Sequence, residues 1–476
     1  MKGKIIKMDN FVEKLTSICP SENQITWQKL GFTAFLHYGI NTFTDREWGE
    51  GNENPADYNP GDLNTDQWCQ ALKAAGVTAC IITAKHHDGF CLFDTAYTKH
   101  SVMYSPKPVD VVGALAKSCC KYGLKMGVYL SPWDRNAETY GSGADYDDFF
   151  CNQLEELTTK YGSLYSLWFD GACGEGPNGK KQVYDWSRYY AVIRKNQPQA
   201  VIAICGPDVR WIGNEAGHTR SSEWSVVPER MRRSETVAAL SQQEDSKEFR
   251  ERVIKSEDED LGSRALLAKE LELGGSLCWY PAEVDVSIRP GWFYHKSEDN
   301  KIRSVENLLD IYEKSVGGNA VLLLNIPPDT NGQISPEDTK RLKELGDRIS
   351  SIYSGNLFEE ANLKIDAESL PYVLRDDETY WTGNSENARV HIKLNNATTI
   401  THIVICEEIR ESQRIEAFNI KSDIDGQFQT IYEGTTIGFK KICRFDPVQT
   451  KDIYIDVLHS RKAPTLRFIS AHVDTM

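Results

Sequence analysis

The segment Leu164-Tyr165-Ser166-Leu167-Trp168-Phe169-Asp170-Gly171-Ala172 is a mostly apolar run that ends in a carboxylate and two small residues. Such a run reads as a strand covered on both faces. A carboxylate at its carboxyl end stands where parallel α/β barrels collect their chemistry, and Gly171 and Ala172 let a ligand come close. Asp170 is thus a candidate catalytic group, against the plain alternative of a turn cap. Other polar residues share this placement. Three earlier apolar runs end in His37-Tyr38-Gly39, in Lys85-His86-His87-Asp88 and in Tyr129-Leu130-Ser131-Pro132-Trp133. Glu47-Trp48 follows the first of them, and the stretch from Gly206 through Asp208, Arg210 and Trp211 to Glu215 follows a fifth run.

Two chemistries suit this set. His37, His86, His87 and Asp170 are metal-ligand types. However, the paired HxH spacing is absent, and neighbouring histidines on an extended segment point to opposite sides. No metal is therefore expected, and the two adjacent histidines are read as donors of hydrogen bonds to hydroxyls, with a structural role for one of them as the alternative. The second chemistry needs two carboxyl groups. Retaining glycoside cleavage uses one as nucleophile and the other as proton donor, about 5–5.5 Å apart. Asp170 suits the nucleophile, because histidines and N–H donors nearby favour its ionised form. Glu215 suits the acid, on a Gly-Asn-Glu-Ala-Gly loop near Trp211 where partial desolvation favours the protonated form. Asp208, Glu47, Glu175 and Glu223 compete for that role. Trp48, Trp211 and Trp292 could stack on a sugar face or simply pack.

The elements that must position these residues follow a repeated pattern. Strands are expected at 33–38, 78–84, 125–130, 164–170, 200–205 and 320–325, with weaker ones near 221–224 and 276–280. Helices at 66–75 (after Thr65 as cap), 109–122 and 146–161 each end at a glycine, and an apolar run follows. This is the grammar of βα units, and eight strands in about 300 residues fit a (β/α)8 barrel. A doubly wound open sheet is the alternative, but no GxGxxG motif follows a first strand. The charged stretch 229–262, ending in Glu257-Asp258-Glu259-Asp260, reads as a solvated insertion. A helix opens at Ser335-Pro336-Glu337-Asp338, with Ser as cap and Pro in the first turn. Beyond 355 the pattern changes to alternating strands at 388–394, 401–406, 415–420 and 452–457, the signature of a β-sandwich. The expected division is a catalytic barrel at 1–354 and a sandwich at 355–476.

Bulk properties narrow the partners. The chain has 476 residues, 11 Trp, 21 Tyr and a formal net charge of -15. The acidic balance disfavours nucleic acid, and no apolar run is long enough to span a membrane. The 12 cysteines include no CxxC pair, and many sit in apolar runs, which favours reduced thiols. The first residues carry charge without an apolar core, so no signal peptide is read there. The compartment expected is the cytoplasm, or the periplasm or exterior if a leader has been removed. The oligomeric state is not legible.

Phe35-Leu36-His37-Tyr38-Gly39, Asn41-Thr42-Phe43 with Glu47-Trp48, Lys85-His86-His87-Asp88-Gly89-Phe90, Tyr129-Leu130-Ser131-Pro132-Trp133 and Trp168-Phe169-Asp170-Gly171, in this order, resemble the α-L-fucosidases of glycoside hydrolase family 29. The resemblance covers about residues 25–350. It implies a retaining mechanism with Asp170 as nucleophile and no cofactor. It also implies that His37, His86, His87 and Tyr129 bind fucose hydroxyls, with Glu47, Trp48 and Trp292 as companions. Gly206-Pro207-Asp208-Val209-Arg210-Trp211 followed by Gly213-Asn214-Glu215-Ala216-Gly217 resembles the branch that cleaves α-1,3 and α-1,4 fucosyl links, and that resemblance assigns Glu215 as acid/base. The implied partner is a fucosylated, Lewis-type oligosaccharide. The tail is similar to discoidin-type sandwiches. The rival readings are a fucosidase of broader specificity, a carbohydrate-binding protein with an inactive barrel, and a metal-dependent hydrolase.

Overall fold

A computed structural model describes residues 8–241, 261–424 and 426–475. The acidic run at 257–260 lies outside the described residues. Eight parallel strands curl into a near-closed barrel. They are β1 (Phe32–Leu36), β2 (Ala79–Lys85), β3 (Lys125–Leu130), β4 (Leu164–Phe169), β5 (Val201–Ile204), β6 (Arg210–Trp211), β7 (Ala282–Ser287) and β8 (Ala320–Asn325). Their order is β5-β4-β3-β2-β1-β8-β7-β6. A single parallel bridge between Ala203 and Val209 joins the two ends, with the Ile204 N–H donating to Val209 O at 3.0 Å. Every residue of β1, β2, β5 and β8 is buried, as expected where helices cover the outside of a parallel sheet.

The helices form where the sequence places caps. Asn64 caps Thr65–Ala74, so Thr65 is the first helical residue rather than the cap. The Asp110 side chain accepts the Gly113 N–H to open Val111–Tyr122, and Gly123, at φ 69°, ends it in the left-handed conformation that a side chain disfavours. Ser335 caps Pro336–Tyr353 as expected.

Two barrel strands differ from the sequence reading. Residues 221–224 form no strand; Glu223 there is a buried partner of Arg210 and Arg220. The segment near 276–280 contributes Leu277–Trp279 to a separate ribbon with Val226–Pro228. The sixth and seventh barrel strands are instead β6 and β7. No helix separates β5 from β6, and the turn between them begins at Ile204 with φ 67°.

The C-terminal sandwich is built on two long antiparallel strands, Ala388–Cys406 and Lys441–Ser460. The runs expected at 388–394 and 401–406 are one strand, and its register with the partner shifts between Lys393 and Thr398. Asn362–Ile365 and Ile415–Ile424 flank one half, and Phe468–His472 flanks the other. Val390, Ile392, Ile403, Ile455 and Ile469 share one core. Among the described residues, no helix is long and apolar enough to cross a membrane.

The loop after β7 is anchored from below by a buried guanidinium. Arg289 Nε donates to Asp338 Oδ2 at 2.8 Å, and its other nitrogens donate to Asp299 Oδ1 (2.9 Å) and Ser335 Oγ (3.0 Å). Neither Arg289 nor Asp338 has any exposed side-chain surface. Breaking such a pair strands a buried charge, so Arg289→Met is expected to cost about 3–5 kcal/mol in urea unfolding. Adding Asp338→Leu should recover much of that loss. A single-variant cost below about 1 kcal/mol would contradict this role.

Candidate active site

Apolar strands leave their first polar residues at the barrel mouth, where they meet. His37 follows β1, His86 and His87 follow β2, Tyr129 lies near the end of β3, and Asp170 follows β4. Trp211 closes β6, Glu215 follows it, and Trp292 lies beyond β7. All of these line one pocket, together with Glu47 and Trp48.

Asp170 is gripped at both oxygens. The Tyr129 hydroxyl donates to Oδ2 at 3.0 Å, and the Ala172 N–H donates to Oδ1 at 2.9 Å. Burial and the nearby Asp170 hold the Tyr129 phenol well above its usual range, so it stays a donor. Asp170 keeps 25% of its side chain exposed to the cavity, whereas His87, whose Nε2 lies 3.8 Å from Asp170 Oδ2, keeps 1%. The carboxylate is therefore reachable. A Cβ on Gly171 would stand 1.9 Å from Ser241 Oγ, so a side chain there would collide with the pocket wall.

Glu215 is held by an indole: Trp292 Nε1 donates to Oε2 at 3.0 Å. The Trp292 backbone N–H donates to Glu47 Oε2 at 2.9 Å. Glu47 also accepts from the Phe293 N–H at 3.2 Å and pairs with His295 Nε2 at 2.7 Å. Trp48 stands edge-on to His87, with ring centroids 5.1 Å apart.

Burial favours the neutral form of the three histidines that line the pocket. Burial lowers His37 to about 3 and His87 to about 4, and pushes His86 well below its usual value. Contrary to the expectation for an extended segment, His86 and His87 both face the pocket, their rings 4.1 Å apart. The chain has already left β2 and turns at this point, so strand alternation no longer applies. Among the described residues, no three His, Cys, Asp or Glu side chains are arranged to hold a metal ion.

The competing acids sit elsewhere or are occupied. Asp208 Oδ2 accepts the Ile202 N–H at 2.7 Å and pairs with Arg194. Glu223 pairs with two buried arginines, and Glu175 is exposed and outside the pocket lining. Lys85 is likewise internal, donating to Asp134 Oδ2 at 2.8 Å and Gln153 Oε1 at 3.0 Å.

Sequence reasoning missed Asp285, Ser241 and Asn325. Asp285, within β7, lines the pocket, accepts from Trp211 Nε1 at 2.5 Å, and is pushed well above the carboxylate range by burial, Glu215 and Glu283. Alternating Glu283-Val284-Asp285 was the available signal. Ser241 comes from the charged stretch, and nothing local marks it. Asn325, the last residue of β8, accepts from His37 Nδ1 at 2.8 Å.

A parallel barrel whose mouth gathers two held carboxyls, neutral imidazoles and indoles into one pocket defines a glycoside hydrolase. Residues 26–351 match the family model for Alpha-L-fucosidase. The chain is similar to Alpha-L-fucosidase 1 of Arabidopsis thaliana, 37% identical over 473 residues, covering 96% of this chain and 87% of that protein. It is similar to the crystal structure of a glycoside hydrolase 29 family member from an unknown rumen bacterium, at 34% identity and TM-score 0.80, covering 96% and 78% of the two chains. It is also similar to a GH29 fucosidase of Ruminococcus gnavus in complex with fucose, at 29% identity and TM-score 0.81, covering 96% and 95%. The chain belongs to the α-L-fucosidase family, glycoside hydrolase 29.

His295 carries a pH-dependent hold on this mouth. Its hydrogen bond to Glu47, against the cost of burial and helped by Asp45, raises it from 6.5 to about 9. A raised folded-state value means that the protonated form stabilises the fold. The contribution is complete below about 6.5 and is lost as pH rises through about 9. His295→Gln should therefore flatten the fall in thermal stability between these two values. An unchanged slope in the variant would contradict the pairing.

Proposed function

We propose that this enzyme removes terminal α-1,3- or α-1,4-linked L-fucose from branched, Lewis-type oligosaccharides with retention of configuration. Asp170 attacks the anomeric carbon while Glu215 gives its proton to the departing glycosidic oxygen. The bond to that oxygen breaks and a fucosyl ester forms on Asp170. Glu215, now ionised, takes a proton from water as the water attacks the same carbon, which frees Asp170 and returns the acid. His37, His86, His87 and Tyr129 hold the sugar hydroxyls, with Glu47 and Trp48 beside them. Trp211 and Trp292 supply apolar faces for the ring and its neighbour.

One observation supports this reading most. Of the acids weighed, Asp170, Glu215 and Glu47 line the pocket; Asp170 accepts from a phenol and an amide yet keeps 25% of its side chain open to the cavity, and Glu215 accepts from the Trp292 indole. Glu47, by contrast, is fastened to the loop beyond β7. The α-1,3/1,4 preference rests on the resemblance of 206–217 to that branch. The catalytic unit in this proposal is 1–354, and 355–476 is an appended sandwich.

The test is fucose release from a Lewis-type trisaccharide beside 2'-fucosyllactose, with Asp170→Ala as control. Release mainly from the branched glycan, reduced by about a thousandfold or more in the variant, is expected. Release mainly from the 2'-linked sugar would overturn the linkage preference, and normal turnover by Asp170→Ala would overturn the nucleophile.

A further inference from the structure

We propose that Asn325 and Ser131 are positioning residues that lock His37 and His87 in the tautomer whose Nε2 is unprotonated, so that the pocket presents fixed acceptors and selects sugar hydroxyls that donate. The inference deepens the fucosidase reading and rests on it for the identity of the ligand.

Around His37 the polarity of every link is forced. The Trp292 carbonyl can only accept, and it receives Asn325 Nδ2 at 2.8 Å. That contact fixes the amide's orientation. The backbone N–H of His37 confirms it independently, since it can only donate and reaches Asn325 Oδ1 at 3.3 Å. Asn325 Nδ2 also donates to Ser287 Oγ at 2.9 Å, while the Ser287 hydroxyl gives its own proton to Gly291 O at 2.7 Å. Asn325 Oδ1 therefore faces His37 Nδ1 at 2.8 Å as an acceptor, and Nδ1 must carry the proton. In a neutral ring Nε2 then holds a lone pair.

The same logic applies at His87. Ser131 Oγ lies 2.7 Å from the Trp133 carbonyl, which takes its only proton. The oxygen is left to accept from His87 Nδ1, also at 2.7 Å. His87 Nε2 is thus an acceptor beside Asp170 Oδ2, 3.8 Å away. Two acceptors at that separation do not bond each other, but each can receive a ligand hydroxyl.

The surroundings keep both rings neutral. His37 packs among Phe35, Trp292, Phe293, Tyr129 and His86, and no carboxylate among the described residues pairs with it. His87 meets Trp48, Trp133 and His86, and the pull of Asp170 toward the charged form is opposed by burial and by Arg135. His86 differs: among the described residues its buried Nδ1 has no hydrogen-bond partner, and Asp88 Oδ2 lies 3.9 Å away. The mouth therefore has two acceptors of fixed sense and one ring free to adapt.

The direct test is the 15N spectrum of histidine-labelled enzyme. His37 and His87 should show protonated Nδ1 and unprotonated Nε2 from about pH 5 to 8. In Asn325→Asp, a carboxylate facing Nδ1 should make His37 titrate within that range, with KM rising on the acid side and kcat less affected, while His87 stays unchanged. A protonated Nε2 on either ring of the unaltered enzyme would overturn the proposal.

The second arm measures binding of fucose and its 2-, 3- and 4-deoxyfluoro analogues by calorimetry, since fluorine cannot donate. At least two analogues should bind about tenfold or more weakly than fucose. Equal binding of all three would overturn the acceptor role. Failure of fucose itself to bind would count against the fucosidase reading, while the spectra would still decide the tautomers.

Discussion

A closed parallel sheet sends all its carboxyl ends one way, and the rest of this molecule answers to that constraint. Most strand positions are buried and apolar, so most of the polar residues that face a ligand stand where the strands stop. They then crowd into one mouth, where a buried polar group left unpaired is costly. The solution is a web of hydrogen bonds of fixed sense. Asn325 joins β1, β8 and the loop beyond β7 through His37, Ser287 and Trp292. Trp292 passes the hold on to Glu47 and Glu215.

The same web bears on the division of labour proposed for the acids. A carboxyl that must react cannot be saturated by fixed donors, and a carboxyl that must stay put needs them. Glu47 accepts from two backbone amides and pairs with an imidazole, so it works as a fastening. Asp170 accepts from one phenol and one amide and remains open to the cavity. Asp285 and Glu283 lie deeper on β7, where burial favours their protonated forms; Glu283 is raised to about 7. The neutral imidazoles fit this economy, because cations here would bind the carboxylates more tightly than a sugar could.

Much of this was legible beforehand, for a physical reason. Where a strand is a mostly apolar run, its end is marked by the first charged residue, and Leu164–Phe169 followed by Asp170 is such a case. All ten residues singled out as catalytic or sugar-binding line the pocket. The reading failed where the pattern was broken. Strand β6 is two residues long, too short for any periodicity. Strand β7 carries buried Glu283 and Asp285, so it does not look like a core strand, and Asp285 went unseen with it. His86 and His87 share a side because the backbone turns there. Asn325 sits at the end of an obvious strand, but its role depends on His37, 288 residues away, and no local pattern carries that.

The central claim is that this web leaves Asp170, and no other acid of the mouth, positioned to bond to the sugar. The most direct measurement is mass spectrometry of peptides from enzyme inactivated with a 2-deoxy-2-fluoro-fucosyl fluoride, whose ester is slow to hydrolyse. The account predicts a fluorofucosyl mass on the peptide containing Asp170. A label on Glu215, Glu47 or Asp285, with none on Asp170, would contradict it.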